Sequence, residues 1–111
     1  VFSIKKIHEN RGGMPWQGYK VNPLKAGVEL LKLQYETEIK LHRIYQPILL
    51  IQASLDKTVD LKSGEIILKG VQSAVRKSYL MEKSNHVVIL DVEFEKVSRI
   101  SLDFLKKLKR Q

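Results

Sequence analysis

An unbroken apolar run, Ile48-Leu49-Leu50-Ile51, entered through Pro47 and left through Gln52-Ala53, constrains this chain more than any other stretch. Successive side chains of a strand point to opposite faces of its sheet. A strand apolar at every position must therefore bury both faces, which requires helices above and below a parallel sheet. Pro47 is tolerated at the entry, because the first residue of a strand need not donate to the ladder. The run predicts an α/β chain with a parallel sheet.

The surrounding elements agree with that class. Asn22 and Pro23 form a helix start, with Asn22 as the cap and Pro23 where its missing N–H costs nothing. Leu24, Val28, Leu31, Tyr35 and Ile39 then recur at helical spacing and draw one apolar stripe. Gly27 weakens this helix slightly, and Thr37 is a point where a second short helix could restart. Beyond the apolar run, Asp60 or Ser63 can cap a helix that carries Ile66, Ile67 and Val71 and ends near Gly70. Val75 to Met81 reads as a second strand, with Arg76 and Lys77 placing it near a sheet edge. Strand, helix and strand in that order make a right-handed crossover unit. A last helix has Val97, Ile100, Phe104, Leu105 and Leu108 as its buried face.

Composition narrows the function classes. With 111 residues, 43% hydrophobic and 29% charged, the chain is globular and small for a complete α/β enzyme. No apolar run approaches the roughly 20 residues that cross a bilayer, so no membrane role is expected. Val1 to Lys6 lack the charged head and apolar stretch of a signal peptide. The absence of cysteine excludes disulfides and thiolate ligands and favours the cytoplasm. With carboxylates dispersed as well, neither a metal site nor a cofactor is expected. The net charge of +8 admits a nucleic-acid partner. The cations are scattered, however, apart from Lys106-Lys107-Leu108-Lys109-Arg110 at the end of the last helix, where they oppose the helix dipole. Nucleic acid is therefore not expected as the partner.

Two residues stand where chemistry gathers in α/β sheets, in loops at the carboxyl ends of strands. Asp56 follows the first strand in Ser54-Leu55-Asp56-Lys57-Thr58, and His86 follows the second in Lys83-Ser84-Asn85-His86-Val87. A hydroxyl nucleophile needs a base that is neutral near pH 7, and histidine suits this. The imidazole in turn needs an acceptor on its far nitrogen. Singly, Asp56 reads as a turn residue and Ser84-Asn85-His86 as a polar loop. Their joint placement after successive strands argues for an acid and a base. That is the back half of a Ser…Asp…His order, and no Gly-x-Ser-x-Gly elbow occurs from Val1 to Gln111. His42, beside Arg43 on a helix, and His8, in the lead-in, have no comparable setting.

The stretches Gly18-Tyr19…Pro23, Leu41 to Ile51, Asp56-Lys57-Thr58-Val59, Ser84-Asn85-His86-Val87…Leu90-Asp91 and Phe104-Leu105 resemble, in order, the C-terminal portion of bacterial α/β-hydrolase carboxylesterases and monoacylglycerol lipases. The resemblance runs from Tyr19 through Leu108. It implies a partial α/β-hydrolase fold, with the C-terminal parallel strands of the sheet and their flanking helices. Residues 1–21 would be an irregular cap or lead-in segment and 22–111 the C-terminal part of the hydrolase domain. Asp56 would orient the histidine and His86 would be the general base. Met14 and Trp16, near the end of the cap, would contact the acyl chain of the substrate. Asn85 departs from the resemblance, which has a small residue there, but removes no catalytic group.

The implied activity is hydrolysis of small carboxylic esters, without a cofactor, in an intact enzyme that supplies the nucleophilic serine. The present chain would be inactive alone. Its uncovered strand edge and the stripe on the first helix would pair with the missing N-terminal half or with another copy. Two rivals remain: a basic nucleic-acid-binding domain, and a non-catalytic interaction domain derived from a hydrolase.

Overall fold

The computed structural model of the chain describes residues 2–4 and 21–110; Met14, Trp16 and His8 lie outside them. Strand β1 (Phe2–Ile4) pairs antiparallel with β2 (Val21–Pro23). Three-residue strands carry too little periodicity to be read from a sequence, and this ribbon has no counterpart in the sequence reading.

Helix α1 (Leu24–Lys40) begins after Pro23, which replaces Asn22 as the N-cap. Its φ of −68° is the value the proline ring imposes, and its ψ of 121° keeps it extended. Thr37 does not restart the helix. Its hydroxyl donates back to the Leu33 carbonyl at 2.7 Å, a bond that a helix accommodates. No residue of α1 is buried. The stripe Leu24, Val28, Leu31, Tyr35 and Ile39 is present but 50–67% exposed.

Strands β3 (Ile48–Ala53) and β4 (Arg76–Met81) lie parallel, Ile48 opposite Arg76 and Ala53 opposite Met81. Helix α2 (Lys62–Gly70) joins them. Neither Asp60 nor Ser63 is the N-cap of α2, a place that Leu61 takes, but Asp60 Oδ1 accepts from the Lys62 amide, the first of the helix, at 2.9 Å. Strand β3 is half-buried until Ala53, and β4 is exposed until Met81, in keeping with an edge position.

Close approaches fix α2. A Cβ on Gly64 would run into the Gln52 side chain and lie 2.8 Å from Leu50 Cδ2. Gln52 and Leu50 share one face of β3, so α2 rests on that face. At the other end Gly70 abuts Leu41, the buried residue of a 3₁₀ turn (Leu41–Arg43) that follows α1.

Helix α3 (Phe94–Lys109) follows a 3₁₀ turn (Val88–Leu90) and touches β3. It buries Val97 and half-buries Ile100, Phe104 and Leu108. Leu105, expected on that face, is 61% exposed. Ser101 takes the corresponding inward position, with its hydroxyl donating to the Val97 carbonyl at 2.9 Å.

Candidate active site

The site is built where β3 and β4 end. Ala53 and Met81, the last residues of the two strands, are 1% and 0% exposed, so the loops that follow leave from a fixed base. Those loops are tied to each other by backbone and side chain. The Ser54 amide donates to the Met81 carbonyl at 2.9 Å and the Leu55 amide to the Ser84 carbonyl at 3.2 Å. The Ser54 hydroxyl donates to the Glu82 carbonyl at 3.4 Å.

Asp56 is held from both sides of its carboxylate. Oδ1 accepts the amides of Thr58 at 2.7 Å and Val59 at 3.0 Å, the Asx-turn geometry that aspartate favours. Oδ2 faces His86 Nδ1 at 2.8 Å. The Asp56 side chain is only 10% exposed, and that of His86 is 47% exposed. Burial pushes the Asp56 carboxyl up. The hydrogen bond from His86, the amides of Val59 and Thr58, and the charge on the imidazole outweigh it, leaving Asp56 below its ordinary value. Asp56 is therefore an ionised, acceptor-only partner near neutral pH. The proton of a neutral imidazole then belongs on Nδ1, and Nε2 keeps its lone pair. Among the described residues, Asp56 is the only hydrogen-bond partner of the ring. This arrangement can take a proton at Nε2 and stabilise the resulting imidazolium through Nδ1.

The two residues singled out from the sequence thus come together. Met14 and Trp16 lie outside the described residues, and His42 is exposed in the 3₁₀ turn after α1. Sequence reasoning missed the groups behind His86. Glu93 Oε2 accepts both the Lys83 amide at 2.8 Å and the Ser84 hydroxyl at 2.7 Å. Asp91 Oδ2 accepts the Asn85 amide at 2.8 Å and its side-chain Nδ2 at 2.9 Å. Asn85, read from the sequence only as a departure, thus has a partner of its own. Two acids just before an amphipathic helix look like helix caps in a sequence. Their reach back to the previous loop is visible only in three dimensions. Among the described residues, no three His, Cys, Asp or Glu side chains are placed to hold a metal ion.

Known proteins share this framework. No protein-family model matches the chain. It is 29% identical over 89 residues to a thermostable monoacylglycerol lipase of Bacillus sp. (strain H-257), covering 80% of this chain and 36% of that protein. It is 31% identical over 88 residues to a carboxylesterase of Bacillus subtilis (strain 168), covering 79% of this chain and 35% of that protein. A solved structure of the metagenome-derived lipolytic enzymes LipS and LipT superposes with a TM-score of 0.79 at 33% identity, over 86% of this chain and 39% of that one. The chain is a partial α/β-hydrolase relative, and it spans little more than a third of the length of these proteins. Among the described residues no helix is long and apolar enough to cross a membrane.

Proposed function

We propose that this chain carries the acid and the base of a serine carboxylesterase or lipase, with Asp56 and His86 as two members of a catalytic triad. The observation that carries the reading is the 2.8 Å contact from His86 Nδ1 to a carboxylate whose other oxygen is held by two amides. Relatives named as a lipase and a carboxylesterase support the reaction class. A serine hydroxyl on a Gly-x-Ser-x-Gly elbow, a motif that residues 1–111 do not contain, would come from the remainder of the enzyme.

In the reaction His86 Nε2 takes the serine proton as the serine oxygen bonds to the ester carbonyl carbon. The tetrahedral oxyanion collapses, the carbon–alkoxy bond breaks, and the proton on Nε2 passes to the leaving alcohol. Water then attacks the acyl-serine, with Nε2 again taking the proton, and the carboxylic acid leaves as the serine is reprotonated. Asp56 holds the tautomer and offsets the positive charge on the ring throughout. Oxyanion donors lie with the nucleophile, because one of them is the amide after it. Residues 1–111 alone would accordingly be inactive.

The test uses the full-length protein with p-nitrophenyl esters of short and medium acyl chains. Asp56→Asn should lower kcat by about 10⁴, since the amide favours the wrong tautomer. His86→Ala should be at least as damaging, and His42→Ala should leave the rate unchanged. Rates within about tenfold of the unsubstituted enzyme for both site variants would refute the assignment.

A further inference from the structure

We infer that Glu93, acting through Ser84, is the positioning residue that keeps His86 in register with Asp56, with Asp91 holding the intervening Asn85. The inference rests on the proposed roles of Asp56 and His86. Glu93 and Asp91 reach the loop at residues 83–85 and do not bond the imidazole.

Glu93 is the N-cap residue of α3, yet its carboxylate does not cap its own helix. It turns back across the loop and takes two donors on a single oxygen, the Lys83 amide and the Ser84 hydroxyl. Both bonds are charge-assisted, the stronger class of hydrogen bond. Burial pushes the Glu93 carboxyl up. The Ser84 hydroxyl, the Lys83 amide and the charges of Lys96 and Lys83 outweigh that and leave it below its ordinary value.

Ser84 is the joint. It is fully buried, its hydroxyl is committed to Glu93, and its carbonyl accepts the amide of Leu55, the residue before Asp56. One side of Ser84 is thus fastened to the start of α3 and the other to the Asp56 loop. Two residues on stands His86. Asn85, between them, is fixed through both its backbone and its side-chain nitrogen to Asp91 Oδ2, and Asp91 is itself fully buried. The imidazole is comparatively exposed and has a single hydrogen-bond partner among the described residues. Its position is therefore set by the loop backbone more than by packing around the ring. Without Glu93 the Lys83 amide and the Ser84 hydroxyl lose their acceptor, and the loop can slide against Asp56. Displacement of a catalytic group by about 1 Å costs on the order of 10² in rate.

The loop needs an acceptor at this position more than a charge, since the other oxygen, Oε1, lies 3.7 Å from the exposed Lys96 Nζ and takes neither of these two loop bonds. Both bonds end on one oxygen, so the carbonyl oxygen of a glutamine can accept them. Two measurements on the full-length protein use that distinction. The first is kcat and KM for p-nitrophenyl butyrate. The second, made without substrate, is the downfield proton resonance of His86 Nδ1–H bonded to a carboxylate. Glu93→Ala should lower kcat on the order of 10² with KM changed less than about twofold, and should broaden or abolish the resonance. Glu93→Gln should retain both. Ser84→Ala, a second route to the same loss should Glu93→Ala fold poorly, should fall between them. A Glu93→Ala protein with unchanged kcat and resonance, and only a lower Tm, would overturn the inference. So would absence of the resonance from the unsubstituted protein. If no form hydrolyses an ester but the resonance is lost in Glu93→Ala and kept in Glu93→Gln, the positioning role stands and the esterase reading falls.

Discussion

Helix α1 and the loops at the carboxyl ends of β3 and β4 are held by opposite kinds of contact. In α1 the side-chain bonds are local: Lys32 to Glu29 at 2.8 Å, Lys40 to Glu36 at 3.5 Å, and the Thr37 hydroxyl to the Leu33 carbonyl. Exposed pairs of this kind contribute a few tenths of a kcal/mol each. At the site, Asp56 bonds His86, Ser54 bonds Glu82 and Leu55 bonds Ser84, each across a long stretch of chain. Ser84 and Asp91 are fully buried there. Local contacts make a helix recognisable from spacing alone, whereas nonlocal ones make a site rigid. The half that brings Asp56 and His86 together is the half that tertiary structure builds.

The sharpest way to break this contrast is to truncate one side chain in each region. Met81→Ala, at a fully buried strand end, should cost about 3 kcal/mol in urea denaturation. In a monomer of residues 1–111, where the stripe stands exposed, Leu31→Ala should change stability by less than about 0.5 kcal/mol. Equal losses would mean that the stripe is covered in solution, and the comparison would fail.

Two glycines give a smaller effect with opposite signs. Gly70→Ala puts a methyl 2.9 Å from Leu41 Cβ and 2.7 Å from its Cδ1, so it should destabilise by about 1–3 kcal/mol. A Cβ on Gly27, inside α1, meets nothing within 4 Å. Gly27→Ala should therefore stabilise by up to about 1 kcal/mol through helix propensity. Thermal melts that move in the same direction for both would contradict the assigned packing.

Smaller still is the effect expected at Ser73. Its hydroxyl is buried without a hydrogen-bond partner among the described residues, so Ser73→Ala should be neutral or stabilising by up to about 1 kcal/mol. A clear loss of stability would reveal a partner for that oxygen.

The same division explains what the sequence made legible. Apolar periodicity located α1, α2, α3 and the parallel pair to within a few residues, because burial and spacing are local signals. Asp56 and His86 were legible because each is a chemically distinctive residue just past a strand. Leu105 was misassigned to the buried face of α3, because Ser101 and not a leucine supplies the inward position in that turn. Thr37 was a poor guide, because its hydroxyl found a carbonyl within the helix. Glu93 and Asp91 were invisible for a deeper reason. Carboxylates before a helix have an ordinary local use as caps, and nothing in one dimension says that these two serve the loop behind them.

The smallest expected effect concerns acid, and it sharpens the account of the site loops. In the unfolded chain Asp56 and Glu93 should titrate as an ordinary aspartate and an ordinary glutamate. In the folded protein both lie below their ordinary values, held there by His86 and the Thr58 and Val59 amides, and by Ser84, Lys83 and Lys96. A folded value below the unfolded one means that the unfolded state binds protons first as pH falls. The stability these two groups contribute is therefore fully present above their unfolded values and is lost as pH drops through the folded ones. Glu93→Gln and Asp56→Asn each remove one such proton-linked contribution. Either variant should show a shallower fall of unfolding free energy with decreasing pH than the unsubstituted protein, measured by urea denaturation below about pH 4.5. In the unsubstituted protein, amide exchange should accelerate in residues 83–86 and 54–59 before the protein unfolds globally. An acid limb of unchanged slope in both variants would mean that neither carboxylate is held as tightly as its contacts indicate.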